Sequence, residues 1–112
     1  MIIAIDFDGT LALESMIGTY GQTGGEIPNI PLINRLIKAR KNGHKLILWT
    51  CRGGEWLFDA IEFCHFYGLE FDAVNENIKG IEYRNISCKV VADIYIDDKA
   101  ILPEEFLEDI DV

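Results

Sequence analysis

The chain has 112 residues, 49% of them apolar and 26% charged, and carries a net charge of −9. That is the size and make-up of a single globular domain over residues 1–112, with no apolar run near the ~20 residues of a membrane span. The acidic surplus repels polyanions at long range and weighs against general nucleic-acid binding. Three cysteines, Cys51, Cys64 and Cys88, stand far apart with no C-x-x-C between them. They suit neither a disulfide framework nor a zinc site, and the N-terminus has no basic, cleavable leader, so the expectation is reduced thiols in a cytoplasmic protein.

The opening "IIAIDF" is short, β-branched and apolar on both faces, as a strand inside a parallel sheet requires. Residues 18–30, "GTYGQTGGEIPNI", hold four glycines and predict a glycine-rich hairpin, a flap or a surface loop. "IPLINRLIKARKNG" follows with Leu32, Ile33, Leu36 and Ile37 at helical spacing, Lys38, Arg40 and Lys41 in the last turn and Gly43 beyond it. "KLILWT" predicts a second buried strand. "GEWLFDAIEFCHFYG" predicts a helix with Leu57, Ala60, Ile61 and Cys64 on one face, closing at Gly68. "FDAVNEN" reads as a short third strand and "VVADIYIDD" as a fourth. "LPEEFLEDI" predicts a short terminal helix with Pro103 near its first turn.

Strand–helix–strand alternation predicts an α/β domain with a mainly parallel sheet, and such sheets bind ligands beyond the carboxyl ends of their strands. Three strands end in polar groups: the first at Asp6 and Asp8, the second at Thr50, the fourth at Asp97 and Asp98. Asp6 and Asp8, two apart, share a face with Cα atoms roughly 6–7 Å apart. Carboxylates that close destabilise one another unless a cation, a proton or a substrate group compensates. Four converging acids select a hard divalent cation, Mg²⁺ when phosphate is also present. A carboxylate can attack phosphorus, and a second one can serve as acid and then base.

"DFDGT", "LILWT" and "IYIDD", in that order, resemble the first, second and fourth motifs of the haloacid dehalogenase-like (HAD) phosphohydrolase superfamily. Lys89 in "SCKVVAD" matches the third motif, with Lys79 as its competitor; Lys89 lies nearer the fourth strand. The resemblance implies a three-layer Rossmann-like fold, here without a cap domain, because neither interval between the motifs is long enough to hold one. It implies Asp6 as nucleophile, Asp8 as general acid/base, and Thr50 with Lys89 as the phosphate-stabilising pair. Mg²⁺ would sit on Asp6, Asp8 (through its backbone carbonyl) and Asp97, with Asp98 as the second-choice ligand. Gly9, Thr10, Cys51 and Arg52, flanking the first two motifs, are the candidate contacts to substrate phosphate, and a surface salt bridge is the competing role for Arg52. The implied activity is Mg²⁺-dependent hydrolysis of phosphate monoesters through an aspartyl-phosphate. The alternative is a catalytically weak or silent HAD-like module that binds phosphate or serves as a scaffold.

A signalling receiver domain, also α/β and acidic, carries its acid pair after the first strand and its phosphorylated aspartate after the third. Here the third strand ends in "NEN" and the pair closes the fourth, which argues against a receiver. Asp93 falls about 13 Å from the strand ends, at the opposite edge. It is read with His44 and His65 as structural. Asn75 and Asn77, after the third strand, are secondary candidates to reach the cleft, with a role outside it as the stronger alternative. The phosphorylated substrate and the oligomeric state are not specified by the residues.

Overall fold

A computed structural model describes residues 1–13, 27–80 and 90–97. In chain order the elements are β1 (Ile2–Ile5), β2 (Ala12–Leu13), β3 (Ile27–Pro28), α1 (Ile30–Lys41), β4 (Lys45–Leu48), α2 (Gly54–Phe66), β5 (Ala73–Val74) and β6 (Ile94–Ile96). Four strands form one sheet in the order β5-β4-β1-β6, and every pairing in it is parallel. β2 and β3 pair antiparallel, Leu13 opposite Ile27, at the base of the expected hairpin. Residues 14–26 lie outside the described residues, as do 81–89 and 98–112; Lys89, Asp98 and the expected terminal helix fall there.

Side-chain alternation sorts the sheet into two faces. Ile3, Ile5, Leu46, Leu48, Ile94 and Ile96 share one cluster with Leu32, Ile33, Leu36 and Ala39 of α1 and Ala60 and Cys64 of α2. Both helices therefore cover the same face. Ala4, Ile47 and Ala73 on the other face pack against Ile78 and Val90 from the connection between β5 and β6. This is an α/β fold with a parallel four-stranded sheet and two helices, compatible with a Rossmann-like fold.

The helices begin and end where local chemistry directs. Pro31 sits in the first turn of α1, where no amide partner is lost, and Lys38, Arg40 and Lys41 crowd its last turn against the negative end of the helix dipole. Gly43 and Gly68, just past the two helices, have φ of +96° and +85°, a region that glycine enters without steric cost. Among the described residues no helix is long and apolar enough to cross a membrane.

Candidate active site

The stretch after β1 folds into a tight turn rather than continuing as strand. Thr10, Leu11 and Ala12 all donate their amides to the Phe7 carbonyl, at 3.2, 3.0 and 3.0 Å, and Gly9 donates to the Ala12 carbonyl at 2.9 Å. Gly9 has φ +77°, so the reversal depends on a residue without a side chain. Phe7, between the two acids, is wholly buried in the cluster of Ile3 and Ile5 and meets Phe63 edge-on, with centroids 5.4 Å apart. It anchors the turn, which leaves Asp8 and Gly9 at the surface.

The parallel register carries the three strand ends to one edge of the sheet. Ile5 pairs with Leu48 on one side and Ile96 on the other. The ladder runs one residue further: Asp6 N–H donates to the Ile96 carbonyl at 3.0 Å, and Trp49 N–H to the Ile5 carbonyl at 2.9 Å. Asp6 and Asp97 thus leave neighbouring strands side by side, with Thr50 one residue beyond Trp49 on the other flank. One Asp6 oxygen accepts the Phe7 amide at 2.8 Å.

Among the described residues Arg52 is the least exposed cation near this edge. Its Nε and Nη2 donate to the two Asp8 carboxylate oxygens at 3.0 and 2.7 Å, and Nη1 donates to the Trp56 carbonyl at 3.3 Å. Its guanidinium carbon lies 4.5 Å from the Phe7 ring centroid and 4.7 Å from that of Trp56. Of the two roles open to Arg52, the structure displays an ion pair, and the pair is with Asp8. A planar fork suits a carboxylate, and the two rings suit its weakly hydrated faces.

Thr50 is held from two sides. Its amide donates to Asn75 Oδ1 at 2.8 Å, and its Oγ1 accepts the Arg52 amide at 3.2 Å. Asn75 reaches it from the end of β5 with φ 53°, a left-handed conformation that asparagine tolerates better than most residues. Asn77 accepts the Val91 amide at 2.6 Å and ties the β5–β6 connection instead. Thr10 lies inside the turn with no exposure, and its hydroxyl has no partner among the described residues. Cys51 is exposed beside Thr50. Lys79 is almost entirely in solvent, with its ammonium 3.9 Å from Glu76.

At the opposite edge, Asp93 exchanges hydrogen bonds with Ile2, its carboxylate accepting the Ile2 amide at 2.5 Å. His44 accepts the N-terminal amine at 2.9 Å, and His65 pairs with Glu70. A cavity of about 240 Å³ also opens at that edge, lined by Arg40, Lys41, Lys45, Glu70 and Asp72 among others. It is far from the strand ends that carry the acids, and its cations belong to the last turn of α1 and the start of β4. The candidate site residues Asp6, Thr50 and Asp97 lie at the other edge.

Among the described residues no three His, Cys, Asp or Glu side chains are grouped closely enough to hold a metal ion. The Asp8 carboxylate is turned to Arg52, and among the described residues Asp6 and Asp97 are the acids at adjacent strand ends. Sequence reasoning overlooked Trp56. No sequence signal set it apart, because its i, i+4 spacing to Ala60 reads as part of the core-facing row.

No protein-family model and no curated protein matches the chain. Among solved structures, it is similar to a conserved protein coded by a locus from Bacteroides thetaiotaomicron. The identity is 42% and the TM-score 0.64, over 90% of this chain and 78% of that one. The chain belongs to the same family as this conserved Bacteroides protein.

Proposed function

We propose that the chain is a cytoplasmic, Mg²⁺-dependent phosphomonoesterase of the HAD type, with a three-layer Rossmann-like fold. The observation that carries this reading is the adjacency of β4, β1 and β6, which brings Thr50, Asp6 and Asp97 to one sheet edge. In the reaction, a carboxylate oxygen of Asp6 attacks phosphorus and the ester bond breaks. The leaving oxygen takes its proton from Asp8. Asp8 then takes a proton from water, which attacks the aspartyl-phosphate at phosphorus, releasing inorganic phosphate and restoring Asp6. Thr50 accepts the Arg52 amide at Oγ1, which leaves its hydroxyl proton to donate to an equatorial phosphoryl oxygen. Lys89 is the assigned ammonium, and the turn at Gly9 lets the main chain approach the phosphate.

Asp6, Asp97 and the Asp8 carbonyl, from adjacent chain segments, would offer Mg²⁺ an oxygen-only donor set. Mg²⁺ is commonly held by one or two carboxylates while it keeps several waters and a substrate phosphate, so the residues present fit it. When bound, it would neutralise charge on the transferring phosphoryl group.

A second reading, a silent phosphate-binding module, is favoured by one contact: both Asp8 oxygens are engaged by Arg52. Phosphate release from p-nitrophenyl phosphate with Mg²⁺ separates the two. The enzyme reading expects turnover that Asp6→Asn abolishes with the circular dichroism spectrum unchanged. Phosphate binding without turnover by the natural chain would select the module.

A further inference from the structure

Trp56 is a half-exposed aromatic joined to Asp8 through Arg52. The helix it belongs to buries Ala60 and Cys64 and packs Leu57 and Ile61 on the core, yet Trp56 keeps 43% of its surface exposed. It is also fixed in place. The Arg52 guanidinium lies 4.7 Å from its ring centroid and donates to its carbonyl, while the same guanidinium grips Asp8. One side chain, Arg52, therefore touches both the indole, through its face, and the Asp8 carboxylate, through its edge.

We propose that Trp56 is a stacking platform for substrate, and that the site takes phosphate monoesters whose leaving group carries a planar aromatic ring, nucleoside or aryl. This rests on the phosphate-ester reading above and adds the class of leaving group. An exposed indole offers a π-face that any aromatic ring can cover, whatever its hydrogen-bonding pattern. The charge of −9 gives an anionic ester no long-range attraction, so affinity has to come from contacts at the site. Phosphate at the strand ends and a ring on Trp56 would be held by separate contacts.

The test compares matched ligands by calorimetry on the full chain with Mg²⁺: phenylphosphonate against methylphosphonate, and adenosine monophosphate against ribose 5-phosphate. The natural chain is expected to bind the aromatic member of at least one pair about tenfold more tightly. Preference in the first pair alone identifies aryl esters, and in the second alone nucleotides. Trp56→Ala should shrink that ratio to about twofold and Trp56→Phe should keep most of it. Any disturbance of Arg52 acts on both members of a pair and cancels in the ratio. No aromatic preference in the natural chain, or the same preference in Trp56→Ala, overturns the proposal. A preference that depends on Trp56 in a chain that hydrolyses no ester would instead refute the phosphatase reading and leave the platform standing.

Discussion

Arg52 and Asp8 form a lopsided ion pair: the arginine side chain is 4% exposed and the aspartate it grips is 53% exposed. The two partners are therefore not equivalent. Removing the arginine leaves a carboxylate that water can solvate. Removing the aspartate leaves a guanidinium between Phe7 and Trp56 without its fork of acceptors. Deleting one partner of a buried charge pair is expensive mainly through the charge left behind.

The expected outcome is that Asp8→Ala destabilises the fold by about 2 kcal/mol and Arg52→Met by about 1 kcal/mol. Methionine keeps apolar bulk under Trp56 and strands no charge. Urea denaturation of the two variants checks the order. Equal losses, or a larger loss for Arg52→Met, would show that packing of the guanidinium on the rings outweighs its pairing.

Asp6 and Asp97 carry like charge at neighbouring strand ends, so a divalent cation bound between them should add stability by linkage. At a free Mg²⁺ concentration of 100 times Kd the gain is about 2.7 kcal/mol. Thermal melts of the natural chain should rise with Mg²⁺ and return to the starting value with EDTA. Asp97→Asn should blunt the rise, because one of the two carboxylates at the cation's place is gone. A natural chain whose melting temperature ignores both Mg²⁺ and EDTA would remove the metal from the mechanism.

The four strands of the parallel sheet and the two described helices were legible because their patterns are local. "IIAI" and "KLIL" are apolar on both faces, and both became strands with parallel neighbours. Leu32, Ile33 and Leu36 announced the buried side of α1, and Gly43 and Gly68 the ends of the helices. Asp93 fell at the opposite edge, as its distance from the strand ends required. The partner of Arg52 was not legible, because its contact with Asp8 spans 44 residues of sequence and depends on Phe7 and Trp56 flanking one guanidinium. Alternation of side chains predicts which face an acid takes and says nothing about which cation answers it. The turn at Asp8 was also hidden: three amides converge on one Phe7 carbonyl, a geometry that hydropathy does not record.

Asp72 provides a pH-dependent contribution at the other edge. Burial alone would raise its carboxyl, but the Leu46 amide at 2.8 Å, the Arg40 guanidinium at 3.3 Å and the Lys45 charge together hold it below the ordinary aspartate value. A value lowered in the folded chain means that the unfolded chain takes the proton more readily. Its contribution is therefore complete above the unfolded value and is lost as pH falls through the folded one. Stability measured by urea denaturation should decline from about pH 4 downward, and Asp72→Asn should flatten that decline while leaving a constant deficit near neutrality. A variant with the same acid limb as the natural chain would place the sensitivity on other carboxylates.

Asn75 joins a strained backbone to a hydrogen bond, and two substitutions separate them. Its φ of 53° is a conformation that an alanine Cβ disfavours by about 1 kcal/mol and that glycine enters freely. Its Oδ1 accepts the Thr50 amide at 2.8 Å, a bond with a net value of about 1 kcal/mol. Asn75→Gly loses the bond and relieves the backbone, whereas Asn75→Ala loses the bond and keeps the strain. The alanine variant should therefore be the less stable of the two, by about 1 kcal/mol in chemical denaturation. Both should loosen Thr50, whose amide then lacks its acceptor, so both should lower phosphate-ester turnover several-fold with little difference between them. If activity instead followed stability, with alanine far worse than glycine, the backbone turn at Asn75 rather than its hold on Thr50 would be what the candidate site requires.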